Sequence, residues 1–210
     1  PRSTLSSSSA ASDVYKRQTE NEIFSINELI ESFKLENVQK AAAVFDLKRF
    51  NWISSQQLSK LGENDFFEAI KPFMEDEDIN ENSPNYKKIL LAMRTAKTNL
   101  KDIAHATRPF FFELDGYDEK GVKKFLNESL ETLTFASEVL SKVPEWNETE
   151  LDMALIKVRD YFNLPIPKVN QPMRIALVGS TVSPSLGLTL ELFGKEKSLE
   201  RIKKAIDFIS

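Results

Sequence analysis

Residues 171–209 read as three short helices in close succession, and this pattern constrains the fold more than any other part of the chain. Pro172 suits a first helical turn, where its missing N–H costs nothing, and Gly179 suits the left-handed position that ends many helices. Ser183 offers a capping side chain, and Pro184 offers a proline at the first helical position. The spacing therefore predicts one helix that ends at Gly179 and another that begins at Ser183 and Pro184.

The next two predicted helices are amphipathic. The first has a face at positions i, i+3, i+4 and i+7, formed by Leu186, Thr189, Leu190 and Phe193. Gly194 is expected to end it and Ser198 to open the last helix, whose inner face would be Leu199, Ile202, Ile206 and Ile209. Two gaps would then separate the helices, at residues 179–183 and 194–198. Basic side chains crowd around these gaps, namely Arg174, Lys195, Lys197, Arg201, Lys203 and Lys204.

Upstream segments carry similar helical signals. Ser25 and Glu28 form a capping-box pattern, Asn99 is suited to cap a helix that runs to Arg108, and Asn147 one that ends near residue 162. Another helix is expected to start at residues 83–84, with its buried side given by Tyr86, Ile89, Leu90 and Met93. Because no segment alternates convincingly as a strand and no repeat is present, the sequence predicts an all-α fold. Its 210 residues, 41% of them hydrophobic, are enough to bury a core.

Individual prolines and aromatic residues predict local features of the fold. Pro109 should kink or stop its helix. One of the three phenylalanines at residues 110–112 should pack between helices, with a platform for stacking single-stranded bases as the alternative. Pro165 and Pro167 suggest a stiff connector between helices. Trp52 is expected to lie in a core.

The remaining segments are assigned from composition and spacing. Residues 35–43 and 51–62 are expected to be helical, and residues 75–83 to be an acidic, turn-rich linker. A helical region is expected over residues 117–142, with core side chains at Phe125, Leu130, Leu133 and Val139.

The inventory of reactive side chains is small. The chain has no cysteine and one histidine, His105, which excludes a disulfide framework and a thiolate metal site. His105 lies in a helical pattern, where a packed or surface role is the ordinary one. The six glycines are scattered singly, so no phosphate-binding loop is present. We therefore predict no catalytic residue and no metal ligand, which argues against an independent small enzyme.

The charge is unevenly distributed along the chain. Its net value of −4 argues against a non-specific nucleic-acid binder, and we expect no DNA partner. Residues 63–81 hold eight acidic side chains and one basic one, whereas residues 168–204 hold seven basic and three acidic ones. No apolar run approaches the roughly 20 residues of a membrane span, so no membrane partner is expected. An RNA-binding function would have to depend on the local basic excess.

The C-terminal strings resemble those of a known family. The chain reads QPMRIALVG, then SPSL, then LFGKEKSLERIKKAI, and this ordered combination resembles the C-terminal end of bacterial-type glutamyl-tRNA synthetases. Met173, Val178 and Ile202 stand where the family usually has Leu, Thr and Leu. A second segment is similar to the Phe-Asp-x-x-Lys-Leu-x-Trp block of that family, through Val44, Phe45, Asp46, Lys48 and Trp52.

The resemblance covers residues 21–210 and implies a helical cage made of two sub-bundles. The family's nucleotide-binding half, with its His-x-Gly-His-like signature and Lys-x-Ser-Lys loop, has no counterpart here, so we expect the C-terminal portion of a longer enzyme. ATP and magnesium would belong to the full-length enzyme, and no cofactor is expected in this portion. Residues 1–18 are Ser-rich and lack periodicity, so they are expected to form a disordered, non-native tail. The resemblance implies a stem-contact domain at 19–78 and anticodon-binding subdomains at 79–166 and 167–210.

The resemblance also implies which residues bind RNA. Arg174 matches the family arginine that contacts an anticodon base, and the turn that packs around the unstacked bases is matched by Ser183, Pro184 and Leu186. For Arg174, a helix-surface salt bridge with a nearby glutamate is the alternative.

The other RNA contacts are implied more generally. Generic phosphate contacts near Gly194 are expected from Lys195, Lys197 and Arg201. Arg94 is the nearest candidate for a second family arginine, which helps to choose the last anticodon base.

The resulting expectation is recognition of the tRNA-Glu anticodon by the C-terminal part of a cytoplasmic, monomeric glutamate–tRNA ligase. On its own this portion should bind tRNA without catalysing a reaction. The alternative is a helical protein–protein interaction module that has lost RNA binding, which the acidic segment favours slightly. Salt dependence separates the two, because RNA binding releases counterions.

Overall fold

The structure is a computed structural model that describes residues 23–37 and 45–210. The chain divides after Lys60 into two compact units. The tail predicted at residues 1–18, most of the helix predicted at residues 35–43, and Val44 lie outside the described residues.

The first unit contains two described α-helices, α1 (Ile26–Ser32) and α2 (Leu47–Lys60), with a 3₁₀ turn at Leu35–Asn37. The predicted capping box at the start of α1 is confirmed, because Ser25 and Glu28 each bind the other's backbone N–H. Helix α2 begins four residues earlier than predicted, since the Asp46 carboxylate accepts hydrogen bonds from the N–H groups of Lys48 and Arg49.

The prediction that Trp52 packs in a core is wrong, because its side chain is 44% exposed. Leu58 is the buried residue of α2. The two positions are six residues apart, so on an α-helix their side chains point about 120° away from each other. Trp52 therefore lies on a different side of α2 from the residue that this helix buries.

The secondary-structure elements of residues 61–210 are all helices, with no strand among them, which confirms the predicted all-α fold. Its helices are α3 (Glu63–Asp76), α4 (Tyr86–Met93), α5 (Leu100–Phe111), α6 (Glu119–Gly121) continuing as a π-helical segment (Val122–Leu126), α7 (Leu130–Ser141), α8 (Glu148–Phe162), α9 (Ile166–Val178), α10 (Leu186–Phe193) and α11 (Lys195–Ile209).

Helix α3 was not predicted, although its spacing is regular. It buries Phe66, Ile70 and Met74, at intervals of four residues, and packs against α5. The many acidic residues of this segment lie around that face. The predicted linker is correspondingly shorter, because α3 runs to Asp76 before the chain turns.

The four-residue face predicted for α4 is confirmed, with Tyr86, Ile89, Leu90 and Met93 all buried. The predicted caps at Asn99 and Asn147 are also confirmed, each accepting a hydrogen bond from the N–H three residues later. Helix α8 ends at Phe162, as expected.

Pro109 neither stops nor delimits its helix, since α5 continues to Phe111. Its missing N–H falls near the end of α5, where the lost hydrogen bond does not interrupt the chain path. The expectation that an aromatic at 110–112 packs between helices is confirmed, because Phe110 is buried and stacks on Phe193 of α10 with ring centroids 4.7 Å apart.

The core predicted between residues 117 and 142 is only partly correct. Leu133 is fully buried, whereas Leu130 is 39% exposed and Phe125 and Val139 are half-buried. Leu130 is the first residue of α7, so its side chain lies at the helix end and outside the buried stripe of Leu133, Ala136 and Leu140.

Helix α9 is the central element of the second unit. It contacts α10, α11, α8, α7, α5 and the π-helical segment, and seven of its thirteen residues are buried. It begins at Ile166, so the predicted stiff connector at Pro165 and Pro167 is instead the start of this helix. Pro172, predicted at a first turn, lies inside α9 and is buried there.

The predicted face of α10 is confirmed, whereas of the face predicted for α11 only Ile202 is buried, and Leu199, Ile206 and Ile209 are half-buried. All four residues of the α10 face are buried, but its capping side chain is Ser185 and not Ser183. Helix α11 begins at Lys195 because Gly194, at φ 77°, turns the chain within one residue. The most buried side chains of α11 are consequently Ser198, Arg201, Ile202 and Ala205.

The division after Lys60 follows compactness alone. The functional boundaries at residues 78/79 and 166/167 stay predictions. Within the second unit, α10 packs on α8 and α11 packs on α7, so helices from both sides of residue 166 share one core.

Candidate functional site

The first predicted gap is present as an irregular turn between α9 and α10, which we call the 179–185 turn. It starts at Gly179, whose φ of 72° places it in the left-handed region that favours glycine. The Gly179 carbonyl accepts a hydrogen bond from Asp118 N–H at 2.8 Å. The turn is thus fixed at its first residue by a contact from another part of the unit.

Arg174 lies one turn before the end of α9 and reaches across the 179–185 turn. Its Nε donates to Ser183 Oγ at 3.1 Å, and its Nη2 donates to the Pro184 carbonyl at 3.3 Å. Arg174 therefore bonds to Ser183 and Pro184, and not to a glutamate as the alternative of a surface salt bridge required. Burial lowers the pKa of the guanidinium, which means that the cation is partly withdrawn from water.

The structure brings together the four residues of the predicted base-binding turn. Ser183 and Pro184 are half-buried, whereas Leu186, the first residue of α10, is 2% exposed. Ser183 Oγ also accepts a hydrogen bond from Thr189 Oγ1 at 3.1 Å. Arg174 and Thr189 are therefore both linked to the turn through the Ser183 hydroxyl.

Two carboxylates of α8 bind the first turn of α10. Glu148 Oε1 accepts from Ser185 Oγ at 2.5 Å, and Asp152 is hydrogen-bonded by the Gly187 N–H. Burial and then the neighbouring Glu148 charge raise the pKa of Asp152, and the bond from Gly187 opposes them. In return, Glu191 of α10 accepts from the Glu148 N–H at 2.7 Å, so each helix caps the first turn of the other.

The basic side chains of α11 that were expected to contact phosphates donate hydrogen bonds to backbone carbonyls of this chain. Lys195 Nζ donates to the Val143 carbonyl at 3.1 Å, and Lys197 Nζ to the Phe110 carbonyl at 3.5 Å. Burial, followed by the neighbouring Arg201 charge, lowers the pKa of Lys197. Both lysines are half-buried and bind the chain near a helix C-terminus, where cations are favoured.

Arg201 is a core residue, with 2% of its surface exposed. Its guanidinium donates to the carbonyls of Leu177 and Phe112 and lies 4.5 Å from the centre of the Phe193 ring. This position leaves the guanidinium without a surface that a phosphate could reach. The expected phosphate contact by Arg201 is therefore replaced by a structural role.

The second predicted gap, at residues 194–198, is not present. One residue, Gly194, separates α10 from α11, and Ser198 is a buried residue within α11. Lys204 pairs with Glu113 and Glu200, at 3.1 and 2.8 Å. The basic residues of α11 thus do not line a second cleft.

Arg94 is anchored at the end of α4. Its Nη2 donates to the Leu61 carbonyl at 2.5 Å, and its guanidinium lies 5.2 Å from the centre of the Phe66 ring. The side chain joins the end of α4 to the start of α3. Whether it also contacts RNA stays a prediction.

His105 is exposed, with Nδ1 3.1 Å from a carboxylate oxygen of Glu77, which also binds Arg108. Across residues 23–37 and 45–210, no group of His, Cys, Asp and Glu side chains is arranged to hold a metal ion. Over the same ranges, no helix has the length and apolar character required to cross a membrane.

Comparison with protein families identifies one match. The family described as anticodon binding domain matches residues 65–206. The match therefore covers most of the second unit, including the 179–185 turn.

The chain is also similar to curated glutamate–tRNA ligases. It is 31% identical to that of Thermodesulfovibrio yellowstonii over 194 residues, covering 90% of this chain and 42% of the relative. It is 32% identical over 193 residues to glutamate–tRNA ligase 1 of Caldanaerobacter subterraneus subsp. tengcongensis, covering 90% and 40%. The chain thus spans about two fifths of the length of these relatives.

The fold is also similar to those of two solved glutamate–tRNA ligase structures. A glutamate tRNA ligase from Elizabethkingia meningosepticum, in complex with its amino acid, superposes with a TM-score of 0.71 at 26% identity, covering 90% of this chain and 38% of that one. The glutamate-tRNA synthetase of Elizabethkingia anophelis superposes with a TM-score of 0.68, covering 89% and 37%.

Proposed function

Because the chain belongs to the anticodon binding domain family, we propose that its second unit binds the anticodon loop of a tRNA. The family match covers residues 65–206, and the 179–185 turn lies within it. The single observation that supports this function most directly is the position of Arg174, whose guanidinium crosses the turn beside Ser183 and Pro184.

The similarity to glutamate–tRNA ligases supports a more specific proposal. This chain would serve as the anticodon-reading, C-terminal part of an enzyme that attaches glutamate to tRNA-Glu in the cytoplasm. ATP and magnesium would act in the remaining part of that enzyme, and this part would act as a monomer without catalysing a reaction.

The geometry of the 179–185 turn suits an unstacked base. A guanidinium offers a planar fork of N–H donors, which can bind two acceptors on one base edge. Here two of these donors already hold Ser183 and Pro184, so the fork is oriented before RNA arrives. Leu186 is 2% exposed and belongs to the core, so the apolar surface that a base can pack on here is that of the half-buried Pro184.

A gel-shift titration of the 210-residue chain tests this function. The probes are a transcript of a bacterial tRNA-Glu and the same transcript with its three anticodon nucleotides replaced. We expect the native transcript to bind more tightly, and the affinity to fall steeply as salt rises. Equal binding of both transcripts would contradict anticodon recognition, and binding that is absent or insensitive to salt would favour the protein-interaction alternative.

A further inference from the structure

Three exposed lysines lie close together on the helical segment that follows Asp118. Lys120 belongs to α6, and Lys123 and Lys124 belong to the π-helical segment. In the part of the chain that the structure describes, none of the three forms an ion pair with a carboxylate. Lys124 Nζ lies 5.0 Å from the centre of the neighbouring Phe125 ring, and all three lysines are exposed at the surface.

This lysine segment is attached directly to the 179–185 turn. Asp118 N–H donates to the Gly179 carbonyl at 2.8 Å, two residues before Lys120. At Gly121, an added Cβ would lie only 3.0 Å from the Cδ1 atom of Ile175, the neighbour of Arg174 in α9. The backbone carrying the lysines is thus in contact with both ends of the stretch that carries Arg174 and Gly179.

Acidic neighbours are present, but two of them are already bound. The Asp118 carboxylate accepts from the Gly121 N–H at 2.6 Å, and Glu113 pairs with Lys204 at 3.1 Å. The exposed carboxylates of Asp115 and Glu119 remain beside the lysines. Asp118 keeps its negative charge in that bond, so Asp115, Asp118 and Glu119 equal the three lysines in number. The lysine segment is therefore distinguished by the exposure of its cations and not by an excess of positive charge.

The lysine segment contrasts with α11, where phosphate contacts were expected. Lys195, Lys197 and Arg201 are held by backbone carbonyls, and two of them have their pKa lowered by burial. Arg201 is also 2% exposed, and Lys195 and Lys197 are half-buried, so a phosphate has less access to these three side chains than to an exposed lysine. Lys120, Lys123 and Lys124 are all exposed.

We propose that Lys120, Lys123 and Lys124 bind the phosphates of the RNA strand whose bases enter the 179–185 turn. This inference rests on the proposed function and adds to it the source of the phosphate contacts. The π-helical segment would hold the strand, while Arg174 reads a base.

The test compares two triple variants of the 210-residue chain. In the first, Lys120, Lys123 and Lys124 are replaced by glutamine. In the control, glutamine replaces three exposed lysines of other helices, Lys101, Lys142 and Lys157. Binding of the tRNA-Glu transcript is measured between about 50 and 200 mM salt, the range over which phosphate contacts strongly affect affinity. Circular dichroism checks that both variants remain folded.

For a single-stranded site, each phosphate contact contributes about 0.7 to the slope of log affinity against log salt. We expect the first variant to lose about 2 from this slope and the control to lose little. Equal slopes for the first variant and the unmodified chain, or an equal loss in the control, would overturn the inference. In those cases the unmodified chain would still bind the native transcript more tightly than the transcript with the replaced anticodon. If the unmodified chain showed no such preference, the proposed function itself would be overturned.

Discussion

The guanidinium of Arg201 in α11 donates a hydrogen bond to the carbonyl of Leu177, in the last turn of α9. The same side chain binds the carbonyl of Phe112, which ends α5. Both acceptors are at helix C-termini, where carbonyls lack a partner within their own helix. One buried cation therefore satisfies two helix ends and fixes the end of α9 from which the 179–185 turn begins.

Replacing Arg201 by methionine should destabilise the second unit by about 2–4 kcal/mol, because the carbonyls of Leu177 and Phe112 would both lose a charged donor. Urea unfolding monitored by circular dichroism measures this change. Lys203→Met is the matched control, since Lys203 is exposed on the same helix. An Arg201→Met effect no larger than the control would mean that these carbonyls find other partners.

Gly179→Ala should destabilise the protein by at least about 1–2 kcal/mol, since a left-handed backbone is unfavourable for residues with a Cβ. The added Cβ would also lie 2.8 Å from the Gly116 carbonyl oxygen. At Gly116 itself an added Cβ meets no atom within 4 Å, so Gly116→Ala should stay within about 0.5 kcal/mol of the unmodified chain. Thermal unfolding of both variants distinguishes these outcomes.

Asp152→Asn should change how stability depends on pH. Because burial and Glu148 raise the pKa of Asp152 above its ordinary value of 3.8, the folded state holds this proton more tightly than the unfolded chain. Its contribution to stability is present below the ordinary pKa and is lost as the pH rises through the folded value.

Asparagine does not titrate, so the stability of Asp152→Asn relative to the unmodified chain should rise from pH 4 to pH 7. Urea unfolding at both pH values measures the difference. A relative stability that falls over this interval would show that the anionic bond to the Gly187 N–H outweighs burial.

Arg174→Ala should weaken binding of the tRNA-Glu transcript by about 1–3 kcal/mol if the guanidinium makes a bidentate base contact. Arg174→Lys keeps the charge but lacks the planar fork, so it should recover little of the loss. Arg159→Ala is the control, because Arg159 pairs with Asp160 on α8. Unchanged affinity in Arg174→Ala would remove Arg174 from the base-binding role.

The buried faces of the helices were predictable because they depend on spacing alone. The residues of the predicted faces of α4 and α10 recur at helical intervals, and the structure buries all four in each helix. The same rule applied to Phe66, Ile70 and Met74 would have identified α3, but the surrounding acidic residues were interpreted as a feature of their own. For residues 63–76, the spacing of the apolar residues predicts the helix, whereas the density of acidic residues does not.

Helix ends and charge partners were less predictable, because they depend on distant contacts. Ser183 and Ser185 both suit a cap, and the choice between them follows from Arg174 and Thr189, which bind the Ser183 hydroxyl. From the sequence, the basic residues around Gly194 predict a positively charged surface. Their partners are carbonyls up to 89 residues away in the chain, as for Arg201 and Phe112, and no local pattern reveals such a pairing.

The reciprocal bonds between α8 and α10 determine which part of this region can move. Glu191 binds the Glu148 N–H, while Glu148 binds the Ser185 hydroxyl, so sliding one helix past the other would break both bonds. A movement of the 179–185 turn that preserves both bonds would therefore have to occur on the α9 side of Ser185. The first turns of α8 and α10 would then shift together or not at all.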